Sequence, residues 1–193
     1  MSQVPDPNAS SPWSLLRIAA VVYGVIVVFA FGFAFLQKQL GTLFGEALPT
    51  GTHLLAGLGV GLALVVLSRL AARSWPPMTH LVDGLADVIG PIGILPALAL
   101  ALVSGVAEEI LFRGALWPVL GFLGSSILFG VVHVWPSRSF WVYPLFATVA
   151  GLLFGLLRQG TESLWPSIIA HVTVNALNLI WLGRRARRKA AQT

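Results

Sequence analysis

The chain contains no cysteine, and only 10% of its 193 residues are charged. The first absence excludes disulfides, thiolate catalysis and thiolate metal sites. The second excludes an ordinary soluble domain, in which roughly a quarter of the residues carry charge. Acidic residues are the scarcer sign, seven against twelve Lys and Arg, and the formal charge of +5 at first suggests a nucleic-acid partner. Five of the twelve basic residues, however, stand in Arg184-Arg185-Ala186-Arg187-Arg188-Lys189, directly after an apolar segment. That is the pattern of a cytoplasmic anchor on anionic lipid. Internal repeats and low-complexity segments are also missing. What is present is apolar: 56% hydrophobic residues and a mean hydropathy of +0.85. The chain reads as an integral membrane protein, all-α, with one domain at this length.

Residues 1–13, with Pro5, Pro7 and Pro12, are expected to form a disordered tail. A single transmembrane helical domain then spans 14–183, followed by a basic cytoplasmic tail, 184–193. The first apolar stretch, 15–36, is longer than the ~7–15 residues of a signal-peptide core and is read as a retained helix. The second, 53–70, carries Gly57, Gly59 and Gly61 for close helix packing. Residues 71–90, with Pro76-Pro77 and two aspartates, are expected to be a loop with an interfacial piece. A third helix starts at 91–94 and runs to 116, where Trp117-Pro118 and Gly121 break it. The remaining helices are placed at 125–135, 140–157 and 164–182. The fourth is shorter than the ~20 residues a span needs. Six helices bring both termini to one side. Nine basic residues then face that side and three (Lys38, Arg113 and Arg158) the other, which makes the termini cytoplasmic.

Ionisable groups at membrane depth are costly and mark functional sites. Ala107-Glu108-Glu109-Ile110-Leu111-Phe112-Arg113-Gly114 places two carboxylates and an arginine in a deeply apolar run. The fourth segment adds Phe129-Gly130-Val131-Val132-His133. The sixth adds His171-Val172-Thr173-Val174-Asn175, with imidazole and amide on one helical face. Counted at ~1.5 Å per residue from the face of the Trp117 connection, Glu108, His133 and His171 reach one depth, ~12 Å. The site is therefore expected nearer the face opposite the termini. A carboxylate beside a histidine in low dielectric can hold and deprotonate a water, while an imidazole and an amide can donate to an oxyanion. No nucleophile stands out, so direct attack by water on a peptide bond is favoured.

Glu-Glu-x-x-x-Arg, Phe-x-x-x-His and His-x-x-x-Asn, each in an apolar helix and in this order, resemble the CPBP family of CAAX proteases and bacteriocin-processing enzymes, which includes the type II CAAX prenyl endopeptidases. Gly151-Leu152-Leu153-Phe154-Gly155-Leu156 ahead of Ser163-Leu164-Trp165-Pro166-Ser167-Ile168-Ile169-Ala170-His171 is also typical of that family. The resemblance covers 92–182 and implies a glutamate-type intramembrane endopeptidase acting on a membrane-embedded or lipid-anchored protein or peptide. It implies that Glu108 is the general base with His133, and that His171 and Asn175 stabilise the oxyanion. No cofactor is favoured; if zinc is used, its ligands are Glu108, His133 and His171. The chain is smaller than the usual family form, and its Glu108 to His133 spacing is short.

Other residues have plainer readings. Glu109 and Arg113, four apart, form an ion pair that supports the helix of Glu108. Phe129 packs one turn before His133. Asn178 is interhelical glue; His53 and His80 lie away from the chemistry. Trp13, Trp117, Trp135, Trp141, Trp165 and Trp181 are interfacial anchors near helix ends. Two rival functions are a non-catalytic scaffold or immunity protein of the same fold, and a small proton-coupled transporter. A degenerate scaffold would have shed motif residues, and a transporter would show an inverted repeat.

Overall fold

The computed structural model describes residues 12–45, 48–134 and 141–192. The expected tail, most of which is residues 1–11, lies outside them, as do Trp135, Pro136 and Arg138. Among the described residues there are seven α-helices and no strand: α1 (Pro12–Leu36), α2 (Gly51–Ser74), α3 (Pro76–Ile89), α4 (Ile94–Glu109), α5 (Trp117–Val131), α6 (Val142–Thr161) and α7 (Trp165–Ala190). A π-helical turn, Ile110–Ala115, continues α4. Five segments are long and apolar enough to cross a bilayer: Leu15–Leu36, Gly51–Ser74, Ile94–Ala115, Val142–Thr161 and Trp165–Ala190. The expected multi-pass helical bundle is the architecture observed.

Helix α7 is the hub. It packs on α2, α3, α4 and α6, while α5 leans on α6, and α1 on α4 and the π turn. Small residues make the closest approaches. A Cβ on Gly57 would meet Pro166 O at 2.6 Å, and one on Gly61 would meet Ala170 O at 2.9 Å. Gly59 of the same triplet meets nothing within 4 Å, so two of the three expected packing glycines face α7 and the third faces outward.

Both chain ends come to one face. At the opposite face Gln37, just past α1, donates to Ala115 O (3.2 Å), and Leu164 N donates to Phe44 O (2.9 Å). At the terminus face α3 is clasped to α7. Arg185 Nε donates to Asp83 Oδ1 at 2.7 Å, Lys189 pairs with Asp87, and Arg187 donates to Ile92 O at 2.9 Å. The Arg185 contact holds the Asp83 carboxyl below the ordinary carboxylate range.

Three sequence expectations change here. Residues 76–89 are a helix, not a loop. Pro76 and Pro77 occupy the first turn, where a missing N–H is harmless, and Met78, Leu81, Val82 and Ala86 form its buried face. The basic block is not a separate tail, because α7 continues helical through it to Ala190. Trp181 consequently lies within α7, beneath the Arg69 guanidinium at 3.6 Å. The short fourth helix begins earlier than expected, at Trp117, and bends at Gly121, whose φ of 65° suits only glycine without strain.

Candidate functional site

Glu108 and Glu109 end the regular part of α4. Beyond them an i→i+5 bond, Leu116 N to Leu111 O at 2.8 Å, marks the π turn, a feature frequent at functional sites. Adjacent residues on this helix part by about 100°, and the two carboxylates meet different partners. Glu109 is fully buried and ion-paired to fully buried Arg113, Nη1 to Oε1 at 2.9 Å. Arg113 Nη2 donates to Gly151 O at 2.8 Å, and the guanidinium lies over the Phe129 ring at 4.5 Å. Gly151 leaves room for this contact: a Cβ would meet Arg113 Nη2 at 3.0 Å and Ser126 O at 3.1 Å, so that its neighbours would have to give by a few tenths of an ångström.

Glu109 also has a partner that the i,i+4 spacing did not indicate. Its Oε1 lies 2.8 Å from His171 Nδ1. A carboxylate paired to arginine only accepts, so Nδ1 carries the proton. The imidazole of His171 is stacked on Phe154, with ring centroids 5.0 Å apart. Its Nε2 is left facing Glu108.

His133 reaches the same place by a different local route. Helix α5 stops at Val131, so His133 lies in the following turn and not within a helix extending to 135 as expected. Its backbone N–H bonds Gly130 O (3.1 Å), and its ring Nδ1 takes Phe129 O at 2.6 Å. That carbonyl would otherwise accept the i+4 backbone N–H of an α-helix. A carbonyl only accepts, so Nδ1 is again the donor and Nε2 faces inward. Phe129 thus contributes its carbonyl as well as its ring, whose centroid is 4.7 Å from that of His133.

Glu108 Oε2 stands 3.8 Å from His133 Nε2 and 3.8 Å from His171 Nε2. Both gaps exceed a direct hydrogen bond and suit a bridging water. Asn175, one turn beyond His171, donates from Nδ2 to Ser104 Oγ at 3.0 Å. Glu108, His133, His171 and Asn175 all line one cavity of about 230 Å³, so the structure brings together the four residues predicted for the chemistry. Asn178 lines it as well. The cavity also reaches Leu81, Val82, Leu85 and Ile89 of α3 and Leu182 of α7. It therefore extends toward the face carrying the termini. That extension runs away from the face at which the site was expected to open.

For zinc, the three expected donors are Glu108, His133 and His171. Among the described residues no three His, Cys, Asp or Glu side chains are grouped so as to hold a metal ion.

Sequence reasoning missed Ser104, Tyr23 and Tyr143, which also line the cavity. Ser104 had a legible signal, since it stands four residues before Glu108 on the same helix.

Residues 90–177 match the family described as Rce1-like, type II CAAX prenyl endopeptidase Rce1-like. The uncharacterized protein YpbD of Bacillus subtilis (strain 168) is 32% identical over 123 residues, a match covering 62% of this chain and 64% of YpbD. The aligned region thus spans under two thirds of that relative. No solved structure matches the chain.

Proposed function

We propose that the protein, whose residues 90–177 match the Rce1-like type II CAAX prenyl endopeptidase family, is a glutamate-type intramembrane endopeptidase that cleaves a membrane-associated protein or peptide without a metal. The observation that carries this reading is the position of Glu108 Oε2, 3.8 Å from an imidazole Nε2 on either side. In the proposed reaction a water between Glu108 and His133 loses a proton to the Glu108 carboxylate as its oxygen bonds the scissile carbonyl carbon. The resulting oxyanion is met by Asn175 and by His171. Since Nδ1–H of His171 is committed to Glu109, His171 donates from Nε2 in its doubly protonated form. The C–N bond breaks as the leaving nitrogen takes the proton from Glu108, giving a new carboxyl and a new amine terminus.

The match to this family and the walls of the cavity support a substrate segment entering from the terminus face. The basic residues of α7 support a cytoplasmic position for that face. The test is comparative mass spectrometry of membrane-protein termini from cells carrying wild type or Glu108→Ala. Neo-termini present with wild type and absent with the variant are expected; identical sets of termini would overturn the reading.

A further inference from the structure

The chain has two tyrosines, and both line the Glu108 cavity, one from α1 and one from α6. Tyr143 packs its ring edge-on against His133, with centroids 5.2 Å apart. Tyr23 is the more unusual. From Ile18 to Leu36 it is the one side chain with a hydrogen-bonding group, and its neighbours Val21, Val22 and Val25 are exposed on the lipid-facing surface. A phenol in such a helix gains little unless its hydroxyl finds a partner. Tyr23 lines the cavity together with Glu108 and with Ser104, and Ser104 in turn holds the Asn175 amide.

Glu108 needs such a neighbour. Glu109 is gripped by Arg113 and His171, whereas Oε2 of Glu108 has no hydrogen bond within the protein. The other charged and titratable groups around Glu108 are Glu109 and Arg113 from its own segment, His133 after α5, Tyr143 on α6 and His171 on α7. The two imidazoles stand off at 3.8 Å. A protonated phenol is a permanent donor at neutral pH, and a carboxylate is a strong acceptor.

We propose that Tyr23 is a positioning residue of this site: its O–H donates to Glu108 and holds the carboxylate toward the water shared with His133. Helix α1, which lies outside the matched residues 90–177, is thereby part of the reaction centre. The catalytic consequence rests on the endopeptidase reading, whereas the contact itself does not.

Two measurements on the purified full chain test this. The first is infrared spectroscopy with ring-13C tyrosine, in which the phenolic C–O stretch reports the acceptor its hydroxyl faces. Tyr23→Phe identifies the Tyr23 band by its loss. Glu108→Gln is expected to shift that band, because a neutral amide accepts less strongly than a carboxylate. An unshifted band overturns the proposal whatever the protein cleaves. The second is cleavage of a fluorogenic peptide ending in a prenylated Cys-a-a-X tail. Tyr23→Phe, which keeps the ring and its packing, is expected to lower kcat about 10- to 100-fold with little change in KM, the scale of one hydrogen bond to a charged group. A wild-type kcat, or a change in KM alone, overturns the positioning role. If wild type leaves this peptide intact, or Glu108→Gln still cleaves it, the endopeptidase reading fails, and the infrared result alone decides whether Tyr23 holds Glu108.

Discussion

At the scale of single residues, the two adjacent glutamates divide the labour. Glu109 is the hub of a fully buried cluster that links Arg113 on its own segment to His171 on α7. Removing one partner of a buried pair leaves an uncompensated charge and costs about 3–5 kcal/mol. Arg113→Met is therefore expected to lower the thermal unfolding midpoint sharply. Glu109→Leu combined with Arg113→Met is expected to recover much of that stability without recovering cleavage, because His171 loses the carboxylate that orients it. Recovery of cleavage in the double variant would show that Glu109 only supports the helix. Glu108, His133, His171 and Asn175, which line one cavity, were legible in the sequence because charge and imidazole are conspicuous in an apolar run. The Glu109–His171 bond was not, because it joins positions 62 residues apart, and only the i,i+4 partner of Glu109 could be read from spacing. Zinc was left open by residue type alone, and the proposed reaction does without it. EDTA and 1,10-phenanthroline are expected to leave the cleavage rate unchanged, and a loss restored by added zinc would overturn the metal-free mechanism.

At the scale of elements, α2 and α3 show what patterning conveys and what it leaves out. Apolar length located the spans, but a glycine's facing depends on rotation about the helix axis, which three glycines at i, i+2 and i+4 leave undetermined. Gly61→Val is expected to push α2 from α7 and destabilise by about 1–3 kcal/mol, as overpacking does. Gly59→Ala, facing open space, is expected to be neutral or stabilising by up to about 1 kcal/mol. Thermal unfolding in one detergent compares the two. Helix α3 was misread because Pro-Pro and two aspartates resemble loop chemistry. The prolines sit in its first turn, and one aspartate is held by Arg185. Since Asp83 has a lowered folded value, its contribution is present above the ordinary carboxylate range near pH 4 and is lost as pH falls through the folded value. Amide exchange in α3 is expected to accelerate in acid in wild type. Asp83→Asn is expected to exchange fast at neutral pH already, with a weaker pH dependence.

At the scale of the whole molecule, the helical bundle, the common face of the termini and the likeness of residues 90–177 to the Rce1-like family were all legible, since each follows from apolar length, segment count or a motif set. The direction of the cavity was not, because it depends on which helices wall it, and α3 had been read as a loop. The absence of cysteine makes topology simple to measure. Single cysteines at Ser74 and Gln192, on the terminus face, and at Gly41, on the other, are expected to separate cleanly with a membrane-impermeant thiol reagent. Labelling of Ser74→Cys and Gln192→Cys from outside intact cells would overturn a cytoplasmic terminus face.

The Glu109–Arg113 pair has a further bearing, on how the chain is made. Synthesis delivers α4 and its π turn to the membrane before α6 and α7 exist, so the Gly151 carbonyl and the His171 ring cannot yet receive these charges. Acid and base lie one helical turn apart on the same segment and neutralise each other locally. The helix can thus partition into lipid as a self-compensated unit and recruit its distant partners afterwards.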